Sequence, residues 1–378
     1  MKKTLIALAA LGAMAGAAQA QSTVTLYGLL DANFGSYKTN VAVGSSVQNL
    51  KQTKIDGGGL NGNRWGLRVS EDIGGGMAVI GNIESGFNID TGTSAQGGAL
   101  FGRKAVVGLT GGFGTVTLGR NTSSYDDVAA DHAMMGATIF DPSNTNNGNS
   151  AARAQQLVDG SFAAAADFLG RNTTWVGYNS RFNNSVKYAS PSFGGFSGGL
   201  MYSLGEDKTT SVGASKTVSA NLKFANGPLL ISGGYQSEAT ARTASAKPAL
   251  ENTLLNVAYN FGVAKVGLGL NRAKYKDLTI LGVTTDLAAQ KEVSLSVAVP
   301  VGATTLSAGV ARSKGDDLGK STGFGVQALY SLSKRTTLYA GALSTKAYND
   351  LADGVKFVSP TSNIGKTTTY AAGLRHTF

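Results

Sequence analysis

The residues best placed to act on a solute are charged and fall into a short region. Arg64 and Arg68 bracket Trp65-Gly66-Leu67, Glu84 follows Val79, Gly81 and Ile83 in alternation, and Arg103 precedes Val106 and Gly108. In a strand, side chains point alternately to opposite faces. If Trp65 and Leu67 meet an apolar medium, then Arg64 and Arg68 project to the other side. The same parity sends Glu84 inward when Val79, Gly81 and Ile83 face out, and Arg103 inward when Val106 and Gly108 face out. Asp126, Asp127 and Asp131 follow in a stretch without strand rhythm. Cations on a wall opposite acids on a loop create a transverse field across whatever passes between them. That chemistry is electrostatic sorting, with no bond broken. Catalysis has little to work with: His132 and His376 are the two histidines, and no sequence-local triad or metal cluster surrounds either. An outer-membrane lipase would use a lipid-facing Ser and His, leaving His376 as the sole opening. Gly57-Gly58-Gly59 reads as loop chemistry, because no helix follows to make a phosphate cradle. No catalytic residue, metal or cofactor is expected.

The elements that must hold these residues are strands. Val24, Leu26, Gly28, Leu30, Ala32 and Phe34 alternate with Thr25, Tyr27, Asp31 and Asn33, and the two-residue period returns at 293–299 and 323–332. The polar faces are small and hydroxylic, unlike a solvated surface rich in lysine and glutamate. Short turns at 74–76, 111–112, 192–195, 226–228, 260–262, 300–302 and 333–335 alternate with longer connections near 36–62, 90–99, 121–182, 206–214, 238–250, 276–288, 314–320 and 346–366. Such alternation predicts an all-β, 16-stranded antiparallel transmembrane barrel, within the even-numbered range of outer-membrane barrels. The stretch from Asn121 to Phe182, about sixty residues, is the third long connection. A loop of that length repays its ordering entropy only with a specific job, and we expect it to fold into the bore. From Tyr370 to Phe378 the chain spans roughly 20 Å along a tilted barrel axis, close to an apolar band of about 25 Å.

The address agrees. Lys2 and Lys3, the apolar run Leu5 to Ala18 and the Ala18-Gln19-Ala20 cleavage pattern form an export signal, so residues 1–20 are expected to be removed and 21–378 to form the barrel. The apolar run is shorter than the roughly twenty residues that span a bilayer. Loss of the two lysines lowers the formal charge from +10 to +8. The cations are scattered, which argues against nucleic acid as a partner and leaves anionic solutes, outer-membrane lipid and lipopolysaccharide. Without a cysteine, no disulfide staples the fold.

Several stretches resemble the trimeric general diffusion porins of Gram-negative outer membranes, especially those of β-proteobacteria. They are Val24-Thr25-Leu26-Tyr27-Gly28, Arg64-Trp65-Gly66-Leu67-Arg68, Ser70-Glu71-Asp72-Ile73-Gly74-Gly75-Gly76, Ile83-Glu84-Ser85-Gly86-Phe87, Phe101 to Leu109, Phe113 to Arg120, Asn184 to Tyr188, and the terminal aromatic. The resemblance implies a homotrimer whose third external loop narrows each pore. It further implies a cationic cluster at Arg64, Arg103 and Arg181 with Glu84 nearby, loop acids at Asp126, Asp127 and Asp131, and an assembly signal in Tyr370, Leu374 and Phe378. The family's loop-tip motif of proline, glutamate, phenylalanine and glycines is absent. The expected function is passive diffusion of ions and small hydrophilic solutes with a preference for anions. The alternatives are a channel specific for an organic acid, phosphate or sugar, and a structural or adhesive barrel.

Overall fold

Alternation along the chain becomes an inside-out sheet. On the strand Gln290–Val301, Val293, Leu295 and Val299 are 39%, 49% and 36% exposed, while Ser294 and Ser296 between them are 2% and 5% exposed. Burying serine and displaying valine is unfavourable in water, and favourable where the outer medium is hydrocarbon and every backbone group is paired within the sheet. The computed structural model describes residues 22–43, 46–136, 138–143, 174–240, 247–280, 283–346 and 366–378. The export signal and residues 144–173 of the third long connection lie outside the described residues.

The first strands are β1 (Thr23–Val43), β2 (Ser46–Gly57), β3 (Arg64–Gly74), β4 (Met77–Gly86), β5 (Lys104–Gly111), β6 (Gly114–Thr122), β7 (Arg181–Ala189), β8 (Phe196–Leu204) and β9 (Lys216–Asn226). They continue as β10 (Leu229–Ala239), β11 (Ala249–Asn260), β12 (Lys265–Lys276), β13 (Leu278–Ile280), β14 (Val283–Thr285), β15 (Gln290–Val301), β16 (Thr304–Gly315), β17 (Gly319–Ser331), β18 (Thr336–Lys346) and β19 (Lys366–Thr377). Each barrel strand pairs antiparallel with its neighbours, and β19 returns to β1 from Leu29↔Thr377 to Thr39↔Thr367, closing a sixteen-stranded barrel. Its seven short turns and eight longer connections fall where the sequence places them. At the first turn, Gly74, Gly75 and Gly76 all have positive φ, +85°, +62° and +73°, a run that side chains would strain. Aromatics at Phe113, Phe193, Phe196, Tyr259, Phe261 and Tyr330 stand exposed beside the short turns, as an interfacial girdle does.

Three strands are extra to the barrel count. The connection expected as a loop near 36–62 is largely a hairpin, because β1 runs on past the end of β3 and β2 pairs with it from Ala32↔Gly57 to Val43↔Ser46. Without β2 that length of edge would leave its amides and carbonyls unpaired. The connection after β12 carries the small β13–β14 hairpin. At the seam, Gly28 N donates to Phe378 O at 3.0 Å and Phe378 N to Gly28 O at 3.1 Å. Tyr370, Leu374 and Phe378 all face outward, 60%, 43% and 45% exposed.

Candidate functional site: a charged inner wall and the loop against it

The site begins with register. Glu84 on β4 stands opposite Gly66 on β3 and Lys104 on β5, so Arg64 and Arg68, two residues either side of Gly66, share its face. Tyr27 on β1 also pairs with Gly66. A Cβ at Gly66 would come within 2.8 Å of the Tyr27 hydroxyl, so the missing side chain lets the phenol cross to Glu84. That hydroxyl donates to Glu84 Oε2 at 2.9 Å. Arg103 Nε donates to Glu84 Oε1 at 2.6 Å, with the two side chains only 11% and 14% exposed. Both carboxylate oxygens are therefore occupied. Arg68 lies over the Tyr27 ring at 4.1 Å. Arg64 and Lys104 have neither a hydrogen bond nor an ion pair among the described residues, though both lie within electrostatic reach of Glu84. Arg181 opens β7 beside this group, its Nε donating to Arg103 O at 3.1 Å.

The two faces of β5 are the reverse of those expected from its sequence. Val107 and Leu109 are the exposed residues of β5, at 56% and 44%, so Val106 and Gly108 face the bore. Arg103 reaches Glu84 nonetheless, because it precedes the first residue of β5 and is free of the strand's alternation. Correct parity instead brings in Lys104, which the sequence reading passed over. The signal was present in the outward pair Val107 and Leu109.

The loop acids do not form one row facing the arginines. They sit on and beside a short helix, α1 (Asp126–Ala129). Asp126 accepts the Tyr178 hydroxyl at 2.7 Å and lies within reach of Arg181; burial pushes its carboxyl above the usual range. Asp127 pairs with Lys187 on β7 at 2.6 Å, and Asp131 with Lys223 on β9 at 3.0 Å. Two of the three acids thus neutralise lysines of the wall.

The described loop residues meet inward-facing positions from β7 to β19. Tyr125, Val128, Ala129, Trp175 and Tyr178 bury against Leu254 and Ala311, while Met135 and Phe140 bury with Leu60, Tyr339 and Ala371. Polar contacts fix the path: Asn256 Nδ2 donates to Val128 O at 2.7 Å, Ser296 Oγ to His132 O at 2.8 Å, and Thr138 Oγ1 to Gln327 Oε1 at 3.2 Å. Wall glycines make room, since a Cβ at Gly267 or Gly269 would collide with His132 and one at Gly325 with Phe140. On the returning arm, Val176 N donates to Glu292 Oε1 at 2.7 Å and Asn179 N to Glu238 Oε1 at 2.9 Å. These two wall carboxylates were not singled out in the sequence, although the parity of Ser294 and Ser296 also directs Glu292 inward.

Two other sequence features find structural uses. Beside Gly57-Gly58-Gly59, the amides of Gly59, Leu60 and Asn61 do converge on an anion, but it is the buried carboxylate of Asp31, at 3.2, 2.8 and 2.7 Å. Tyr339 donates its hydroxyl to the same carboxylate. His132 stacks on Trp175 at 5.1 Å and approaches Ser143 Oγ at 3.2 Å, while that hydroxyl donates to Asp141 Oδ1 at 2.8 Å. The serine proton is directed to the aspartate and all three side chains are buried, so the chain braces the loop and presents no nucleophile. Among the described residues no group of three or more His, Cys, Asp or Glu could hold a metal ion.

Known proteins with this architecture point one way. A family described as Gram-negative porin matches residues 7–350. An outer membrane porin protein of Bordetella pertussis is 30% identical over 425 residues, covering 100% of both chains. Outer membrane porin protein 32 of Delftia acidovorans is 33% identical over 283 residues, covering 73% of this chain and 71% of its own. Among solved structures, the anion-selective porin from Comamonas acidovorans superposes with a TM-score of 0.72 at 23% identity, covering 95% of this chain and 100% of that one.

Proposed function

This chain belongs to the Gram-negative porin family, and on that premise we propose an anion-preferring pore whose selectivity is set by the cations of β3, β5 and β7. The protein is an outer-membrane β-barrel through which solutes diffuse passively; its relatives are channels. Anion preference rests on one observation: Arg64, Arg68 and Lys104 share a face with a single carboxylate, Glu84, whose two oxygens are already taken by Arg103 and Tyr27. A narrow bore with low-dielectric walls concentrates the counter-ions of such an excess. In this reading the loop from Asn121 to Phe182 forms the opposite side of the constriction, and Asp127 and Asp131 cancel Lys187 and Lys223. That leaves the excess localised on the arginine side. We further propose that residues 1–20 direct export and are removed, and that the barrel works as a homotrimer.

Reversal potentials in a salt gradient test the selectivity. Replacing Arg64 and Lys104 with glutamate moves the local balance by four charge units where the field is focused, and anion preference should fall or invert. The same change at Lys51, which is exposed, and Lys54, which is half-buried and already paired with Asp56 at 2.6 Å, is screened within about 8 Å at physiological salt and should shift it far less. Equal shifts from the two pairs would place the selectivity filter elsewhere.

A further inference from the structure

Beneath the loop, on the side of the short turns, the inner wall changes character. Farther up the same strands, the inward positions Ser232, Asn256 and Ser296 are polar and buried, and Asn256 and Ser296 bond the loop backbone. One or two inward steps lower they give way to Leu230, Ala258, Ala298 and Pro300, which line a cavity of about 700 Å³. Register brings them together: Leu230 pairs with Ala258, and Ala298 with Lys265. The loop supplies the roof with Met134, whose amide donates to Ser296 Oγ at 3.0 Å, and with Asp131 at the rim. Asp131 is neutralised by Lys223. Lys265 is exposed in the cavity, with no hydrogen bond or ion pair among the described residues.

Water gains nothing from an apolar lining in a pore for hydrophilic solutes, and the lining carries a lone cation. We propose that this cavity is a transit subsite for small monocarboxylates bearing an apolar body, aromatic or branched aliphatic. The carboxylate meets Lys265, and the body lies against Leu230, Ala258 and Met134. The inference rests on the pore reading and narrows its solute class. Residence must be brief, since a conducting site has to release what it takes up. Polar residues at the margin of the apolar patch, Asn260 and Thr305 among them, suit that requirement better than a wholly apolar pocket would.

The test is current through the full-length protein in a planar bilayer bathed in potassium chloride, with benzoate or acetate added. Benzoate should reduce the chloride current at a concentration about tenfold below that needed for acetate, the discrimination that a few buried methylene equivalents provide. Leu230→Ser should remove most of this difference, and Ala258→Ser repeats the test with a smaller change. Lys265→Gln should weaken block by both anions together. Equal block by the two anions, or discrimination that survives both lining substitutions, overturns the inference while leaving the pore intact. A folded barrel that passes no chloride current would overturn the pore reading and this inference with it.

Discussion

Glu84 determines how much charge the wall presents. Its two oxygens are held by Arg103 and by the Tyr27 hydroxyl, so Arg103 contributes almost nothing to the net field while Arg64 and Lys104 contribute in full. Glu84→Gln should release Arg103 and raise the chloride-to-potassium permeability ratio, whereas Arg103→Gln should bare the carboxylate and lower it; reversal potentials of the two variants check the opposite signs. His132 carries a different consequence. Burial lowers its imidazole to about 4 from an ordinary value near 6.5, so the unfolded segment binds a proton in that window and the seated one does not. Stability of the seat is therefore full above about 6.5 and falls as pH drops toward 4, by up to about 3 kcal/mol. Hydrogen-exchange protection factors of residues 128–140 should decrease over that range in the native protein and much less in His132→Phe.

For strands, nearly everything was legible in the sequence. A two-residue period is the direct imprint of a sheet with lipid on one side, and graded connection lengths mark its two rims. What escaped reading lies in the faces of one strand, β5, whose outward pair is Val107 and Leu109 and not Val106 and Gly108, and otherwise at element ends. Arg103 reaches its partner from just outside β5, where parity no longer applies, and β2 exists because the edge of β1 outlasts β3, a fact of pairing that no local pattern records. The loop's seat was equally hidden, since glycines of β12 and β17 look like ordinary small inward residues until a close-packed segment fills the space above them. That seat is testable: Gly267→Val should push His132 off the wall and raise open-channel current noise several-fold, with the barrel still folded by gel migration without heating. Unchanged noise would mean that the loop holds its place by its aromatic clusters alone.

At the scale of the whole barrel, the sixteen strands close on themselves and leave no barrel edge for further pairing, so contact between barrel walls falls to side chains of the outer face, while among the described strands β2 pairs with β1 alone and keeps one edge free at the rim. Cross-linking and mass measurement in mild detergent should report a particle of three barrels; a particle of one barrel's mass would count against the trimer. The interior has a further requirement, which the Asp31 carboxylate meets. Three convergent backbone amides at Gly59, Leu60 and Asn61 would hold a passing phosphate or carboxylate for as long as any receptor site could. Asp31 fills that nest with a carboxyl group tethered to the wall. The protein thereby closes, with a side chain of its own wall, a ready-made anion cradle that would otherwise retain cargo far longer than the brief stops a conducting pore tolerates.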